Sequence, residues 1–199
     1  MGQLRGLLRG IAYRQGAGPA EVLRELDVAM AGLEVGSMAT AAIARIEQTP
    51  DERAEGVTRL RWSNAGHPPP LLLHADGRAE LLTGERTDLM LGVDAATPRS
   101  EWVVTVARGA TVLLYTDGLV EGPGQLLDDG VERLRAGLVE LADRPLPELC
   151  DELLARMRPA EARDDVALVA LRLHPQDRPR PASAAPRHVP PGVPPEPRP

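Results

Sequence analysis

In its 199 residues the chain carries 29 acidic and 23 basic side chains, for a formal charge of −6, and this length suffices for one domain with a sizeable core. Aromatic residues make up only 2% and phenylalanine is absent, so the basic, aromatic-bearing face typical of nucleic-acid-binding proteins is missing and we expect no nucleic-acid partner. No apolar run approaches the ~20 residues of a membrane span, and the first residues lack a signal-peptide core. The composition therefore predicts a cytoplasmic protein that does not act at a membrane.

Two amphipathic helices are predicted first. Apolar residues recur at helical spacing over 1–13, and a second helix begins at Pro19, a residue suited to the first helical turn. Residues 37–48 and 56–66 then predict paired strands, since the second of them alternates apolar and polar side chains. The polar stretch 49–55 is predicted to connect them.

Two hairpins, two further helices and a last strand follow. Residues 70–82 turn at an Asp-Gly pair and residues 101–117 at an Arg-Gly pair, each between apolar runs. Helical spacing predicts helices over 129–141 and 147–158, and residues 164–173 predict the last strand. This order indicates an α+β fold with helices layered over antiparallel sheet, not a doubly wound parallel sheet.

The composition changes at about Pro175. Residues 175–199 hold ten of the twenty prolines and almost no bulky apolar side chain. Such a segment cannot build a core, so we expect a disordered or extended tail after a domain that spans 1–174. A Pro-rich docking segment is the alternative interpretation.

Acidic residues at predicted strand ends are the first candidates for chemistry. Asp117 follows an apolar strand and precedes Gly118, while Asp164 and Asp165 open the last strand. Carboxylates that converge at one sheet edge repel each other unless a cation lies between them, and hard divalent ions take such oxygen ligands. Gly118 would let the backbone approach an ion. The residues alone leave open an ordinary Asp-Gly turn and a solvated polar strand start.

Four motifs in order carry a resemblance to a known family. They read SNAGHPPPLLL (63–73), LGV (91–93), LLYTDGLVE (113–121) and RDDVALVAL (163–171). Together they resemble the SpoIIE/RsbU-type bacterial members of the metal-dependent (PPM, type 2C) serine/threonine phosphatases, over residues 1–174. The resemblance implies an αββα sandwich, two antiparallel sheets flanked by helix pairs.

The resemblance also implies a metal centre. In this family two Mn²⁺ or Mg²⁺ ions activate a water for attack on the phosphorus. Carried over by motif, Asp117 and Asp164 would be metal ligands, with Gly118 and Asp165 in supporting positions. No further protein group is implied as a catalytic residue.

The remaining signature residues and one departure from the family complete the comparison. Asn64, Gly66 and His67 belong to the SNAGH signature, for which we expect a role in shaping a turn at one end of the sheets. The family's upstream aspartates, including one in a GDxxGHG-like element, have no counterpart here, where the first aspartate is Asp27. We therefore expect a domain that lacks its N-terminal part, binds Mn²⁺ weakly and hydrolyses phosphate esters barely, if at all, unless it is extended upstream.

The implied activity is hydrolysis of phosphoserine or phosphothreonine in a partner protein. The resemblance points to a small anti-sigma-factor antagonist as substrate, in a stress or developmental partner-switching pathway. The alternative is a catalytically inactive sandwich domain that acts as a protein-binding regulatory module. The missing upstream aspartates favour the module, whereas Asp117 and Asp164 favour the enzyme.

Overall fold

The computed structural model describes residues 2–13, 16–122, 126–157 and 165–174. The predicted Pro-rich tail, residues 175–199, lies outside them. Helices and strands in chain order are α1 (Gly2–Ala12), α2 (Pro19–Gly32), β1 (Ala41–Glu47), α3 (Pro50–Glu55), β2 (Val57–Ala65), β3 (Leu71–Leu73), β4 (Ala79–Leu81), β5 (Trp102–Ala107), β6 (Thr111–Tyr115), α4 (Leu127–Glu140), α5 (Leu146–Met157) and β7 (Leu168–Arg172).

One compact unit comprises the described residues up to 67 together with 84–106. Its sheet has the strand order β1-β2-β5, and β1 runs antiparallel to β2 with Ala41 opposite Ala65. Helix α2 packs on β1 and β2, and α1 packs against α2. The apolar stripe of α2 contributes Leu23, Leu26 and Met30 to a buried cluster with Ala65 and Leu91, as expected for an amphipathic helix that covers a sheet.

The second unit comprises residues 68–83 and the described part of 107–175. Its sheet has the order β4-β3-β6-β7, and every neighbouring pair is antiparallel. Helices α4 and α5 pack against each other and against this sheet. The largest fully buried side chains of this unit are leucines from its central strands and both helices, namely Leu71, Leu72, Leu113, Leu119, Leu134, Leu138 and Leu149.

Two antiparallel sheets, each with its own helix pair, confirm the predicted α+β fold class. The hairpin predicted over 70–82 is confirmed as β3 and β4, and Gly77 at its turn adopts φ +85°, a conformation that favours glycine. The helices predicted over 129–141 and 147–158 are confirmed as α4 and α5. None of the described helices is long and apolar enough to cross a membrane.

The polar connection predicted over 49–55 contains a short helix, α3. Thr49 accepts a hydrogen bond from the Glu52 backbone N–H at 3.1 Å, and the Glu52 side chain accepts one from the Thr49 N–H at 2.8 Å. This reciprocal capping box satisfies two donors of the first turn. Gly56 then ends the helix with φ +75°.

The hairpin predicted over 101–117 is wrong. Strand β5 belongs to the sheet of the first unit and β6 to the sheet of the second, so the turn at Gly109 joins two sheets rather than two paired strands. Strand β6 already has β3 on one side and β7 on the other. A strand with two neighbours has no free edge, and β5 must therefore pair elsewhere.

Candidate functional site

Asp117 lies in a short 3-10 turn directly after β6. The Thr116 carbonyl accepts from the Leu119 N–H at 3.0 Å, which closes the turn. The Asp117 side chain is partly exposed, whereas Gly118 and Leu119 are buried. Its Oδ1 accepts from the Gly118 N–H at 2.9 Å, and Oδ2 has no hydrogen-bond partner among the described residues. In the described part of the chain, the turn therefore presents one carboxylate oxygen without a hydrogen-bond partner at the end of a buried strand.

The segment that leads into β7 lies beside this turn. The Thr116 N–H donates to the Ala167 carbonyl at 3.0 Å. The Thr116 hydroxyl donates to the Asp165 carbonyl at 3.0 Å and accepts from the Ala167 N–H at 2.9 Å. The structure thus brings the backbone of Asp165 next to the turn that carries Asp117. Asp164 lies outside the described residues, so its proximity to Asp117 stays a prediction.

Asp117 matches a hard divalent ion in chemistry and position. A carboxylate with a free oxygen at a partly exposed strand end is the kind of ligand that Mn²⁺ or Mg²⁺ prefers. Within the described ranges, however, no group of three His, Cys, Asp or Glu side chains could hold a metal ion. The described residues supply one part of a donor set, not a complete one.

Tyr115 directly precedes the turn that carries Asp117. It is 2% exposed and packs in the core of the second unit. Burial raises the pKa of Tyr115 far above its ordinary value, because a phenolate would be desolvated there. The Tyr115 side chain thus anchors the end of β6 in the core.

The SNAGH signature forms a closed turn at the end of β2. Asn64 Nδ2 donates to the His67 carbonyl and Asn64 Oδ1 accepts from the His67 N–H, both at 2.7 Å. Gly66 adopts φ +67°, and a Cβ there would lie 2.6 Å from Met90 Cγ, so only glycine fits. The Nδ1 of His67 lies 3.0 Å from the Thr40 hydroxyl. The geometry supports the turn-shaping role that we propose for all three signature residues.

A buried ion pair that the sequence did not reveal holds the LGV segment. Asp27 on α2 and Arg99 form the pair, and both side chains are only 1% exposed. Asp27 Oδ1 accepts from the Gly92 N–H at 2.7 Å. The Arg99 guanidinium also donates to the carbonyls of Leu89 and Met90. Helix α2 is thereby tied to the segment that borders Gly66 in the SNAGH turn.

The family model for stage II sporulation protein E (SpoIIE) matches residues 1–174. The chain belongs to the SpoIIE family. This match includes both the YTDG turn and the SNAGH turn described above, and it confirms the resemblance that the four ordered motifs carry.

Solved structures with the same fold include several phosphatase domains. The RsbU and RsbW domains of a Mycobacterium tuberculosis protein are 28% identical, with TM-score 0.70, over 91% of this chain and 48% of that one. The SiaA PP2C domain of Pseudomonas aeruginosa is 22% identical with TM-score 0.65, and the match covers 85% of this chain and 67% of that one. The phosphatase domain of Bacillus subtilis SpoIIE, presoaked with Mn, is 14% identical with TM-score 0.55, and the match covers 90% of this chain and 77% of that one. This SpoIIE-family chain spans about half the length of the mycobacterial structure, and the other two identities show a shared fold alone.

Proposed function

We propose that this SpoIIE-family chain is a metal-dependent phosphoprotein phosphatase that hydrolyses phosphoserine or phosphothreonine. One observation carries the proposal: Asp117 lies at a strand end beside the backbone of Asp165, with one carboxylate oxygen that has no hydrogen-bond partner in the described part of the chain. Asp117 belongs to the YTDG motif and Asp165 to the RDD motif, and the Thr116 hydroxyl joins their two segments across 49 positions of sequence. A plain Asp-Gly turn would need no such neighbour.

The proposed cofactor is Mn²⁺ or Mg²⁺, with Asp117 and Asp164 as ligands and Gly118 and Asp165 in support. The Mn presoak of the Bacillus SpoIIE structure supports the choice of metal. A divalent ion in such a site lowers the pKa of water and offsets phosphate charge. Gly118 contributes by adding no side chain that could cover the carboxylate, while its N–H orients Oδ1.

The proposed substrate is a phosphorylated partner protein, with an anti-sigma-factor antagonist as the leading candidate class. The mycobacterial structure joins an RsbU and an RsbW domain, which supports a role in a partner-switching pathway. We place this activity in the cytoplasm, where such regulatory proteins would meet their substrates.

Hydrolysis of p-nitrophenyl phosphate and of a phosphoserine peptide, with and without Mn²⁺, tests the proposal. Asp117→Asn should remove the Mn²⁺-dependent rate, because the amide keeps the shape of the turn and loses the charge that binds the ion. Asp143→Asn is the matched control, since Asp143 is an exposed acid of the same unit. A hydrolysis rate that does not depend on Mn²⁺, or that Asp117→Asn leaves unchanged, would refute the assignment of Asp117 as a metal ligand.

The second candidate is a non-catalytic module that binds phosphoproteins. It is favoured by the absence, among the described residues, of a three-ligand group for a metal. Calorimetry against a phosphorylated antagonist protein separates the two: tight binding with no turnover at saturating Mn²⁺ supports the module, and turnover supports the enzyme.

A further inference from the structure

We infer that Thr116 is a positioning residue of this site: its hydroxyl holds the Asp165–Ala167 backbone against the turn that presents Asp117. The consequence for metal binding rests on the proposed phosphatase function. The inference that the Thr116 hydroxyl holds this backbone segment rests only on the geometry of its hydrogen bonds.

The pairing of β6 with β7 shows what the hydroxyl replaces. The ladder pairs Tyr115 with Leu168, so the next opposed residues are Thr116 and Ala167. In a regular antiparallel ladder such a pair exchanges two backbone hydrogen bonds. Here only one is made by backbone groups, from the Thr116 N–H to the Ala167 carbonyl at 3.0 Å. The other, from the Ala167 N–H, goes to the Thr116 hydroxyl at 2.9 Å.

Because the hydroxyl accepts from the Ala167 N–H, the Thr116 carbonyl does not take part in the pairing with β7. The carbonyl accepts from the Leu119 N–H at 3.0 Å and thereby closes the 3-10 turn that contains Asp117. A backbone carbonyl that stayed in the ladder would point toward β7 and could not close this turn. The hydroxyl lets the ladder continue by one residue while the chain already turns.

The same hydroxyl reaches one residue farther along the opposite segment. It donates to the Asp165 carbonyl at 3.0 Å, so one side chain contacts the backbone at both ends of the Asp165–Ala167 segment. All three residues of this segment are exposed, and no buried apolar side chain among them fixes their position. The Thr116 side chain thus links the segment before β7 to the Asp117 turn.

Two substitutions separate the hydroxyl from the shape of the side chain. Thr116→Val keeps the branched shape and removes the hydroxyl, whereas Thr116→Ser keeps the hydroxyl. Because the segment is exposed, water can satisfy the groups that Thr116→Val leaves unpaired, and we expect the variant to fold. Thr105→Val is the matched control, since Thr105 is an exposed strand threonine with no side-chain hydrogen bond in the described part of the chain.

The first measurement is amide hydrogen exchange, resolved by NMR, in the full chain without metal. In Thr116→Val the Ala167 amide should exchange roughly tenfold faster, the factor that corresponds to one net hydrogen bond. Thr116→Ser and Thr105→Val should leave this rate near that of the wild type. An unchanged Ala167 rate in Thr116→Val would overturn the inference.

The second measurement is binding of Mn²⁺, followed by electron paramagnetic resonance of the free ion. Thr116→Val should weaken binding by about 10-fold, within the range seen when outer-shell groups that orient a ligand are lost, and Thr116→Ser should restore it. Faster exchange with unchanged Mn²⁺ affinity would overturn the positioning role. A wild-type chain that neither bound Mn²⁺ nor hydrolysed phosphate esters would overturn the proposed function instead, and the exchange rates would still decide whether Thr116 holds the segment.

Discussion

Substitution of Asp27 by asparagine tests the strongest buried electrostatic contact in the first unit. Asp27 and Arg99 are each 1% exposed, so neither charge can be solvated if its partner is lost. Asparagine has nearly the same shape and keeps an oxygen for the Gly92 N–H, which Asp27 Oδ1 now accepts at 2.7 Å. Because the other carboxylate oxygen accepts from Arg99, the amide NH2 of asparagine would face the guanidinium with a donor, so the change removes both the charge of Asp27 and an acceptor for Arg99.

The expected cost is about 3 kcal/mol. Removing one partner of a buried ion pair costs roughly 3–5 kcal/mol, and the lower end applies because Arg99 keeps the carbonyls of Leu89 and Met90 as acceptors. For a chain of this length each kcal/mol lowers the melting temperature by about 2–4 °C. Asp27→Asn should therefore melt about 6–12 °C below the wild type.

A double-mutant cycle with Arg99→Met makes the result specific to the pair. In the Arg99→Met background, Asp27→Asn no longer leaves a buried arginine without its partner. There it should cost at least about 2 kcal/mol less than it does in the wild type. Urea unfolding followed by tryptophan fluorescence suits the test, because Trp62 and Trp102 lie 6.1 Å apart in the same unit. Arg24→Met, which removes an exposed arginine from α2, is the control and should cost less than 1 kcal/mol. If Asp27→Asn cost under about 1 kcal/mol and the cycle were additive, the pair would not be buried as described.

Two further substitutions test packing and pH dependence. Gly130→Ala should destabilise the protein by about 1–3 kcal/mol in urea unfolding followed by circular dichroism, because the added Cβ would overlap the Val120 carbonyl; a neutral result would contradict this contact. Glu52→Gln should lower stability by more at pH 7 than at pH 3. Burial raises the pKa of Glu52, yet hydrogen bonds from Thr49 and Arg59 outweigh this and hold it below the ordinary value of 4.5, so its contribution is present above pH 4.5 and lost as the pH falls through the lowered pKa. A loss of stability that is equal at both pH values would show that the carboxylate charge does not contribute.

The sequence predicted those elements that local periodicity determines. The helix pairs and the 70–82 hairpin depend on side chains a few residues apart, and they are confirmed. The α3 helix was missed although Thr49 and Glu52 have the spacing of a capping box, since a stretch this short and polar also suits a loop. The 101–117 hairpin was wrong because a turn signal shows where a chain reverses, not which strand lies beside it. Strand pairing is decided by distant neighbours such as β3 and β7.

Local sequence located Asp117 but not the hydrogen bonds that Thr116 makes beside it. A carboxylate after an apolar run is visible in the sequence.

The Asp27–Arg99 pair joins residues 72 positions apart, and no local pattern encodes such a partner. One signal was available: Asp27 falls on the apolar stripe of α2 beside Leu23 and Met30. A charged residue on a buried helical face must be paired, which predicts a partner without naming it.

The YTDG turn explains why four common residues make a specific motif. Tyr115 anchors the end of β6 in the core. Thr116 carries on the pairing with β7 through its hydroxyl, which releases its carbonyl to begin the turn. Asp117 then accepts a hydrogen bond from the Gly118 N–H with one oxygen, while its other oxygen has no partner within the described ranges. An ordinary Asp-Gly turn requires only the residues equivalent to Asp117 and Gly118. The Thr116 hydroxyl one position earlier therefore distinguishes this turn, which presents a carboxylate, from a turn that only reverses the chain.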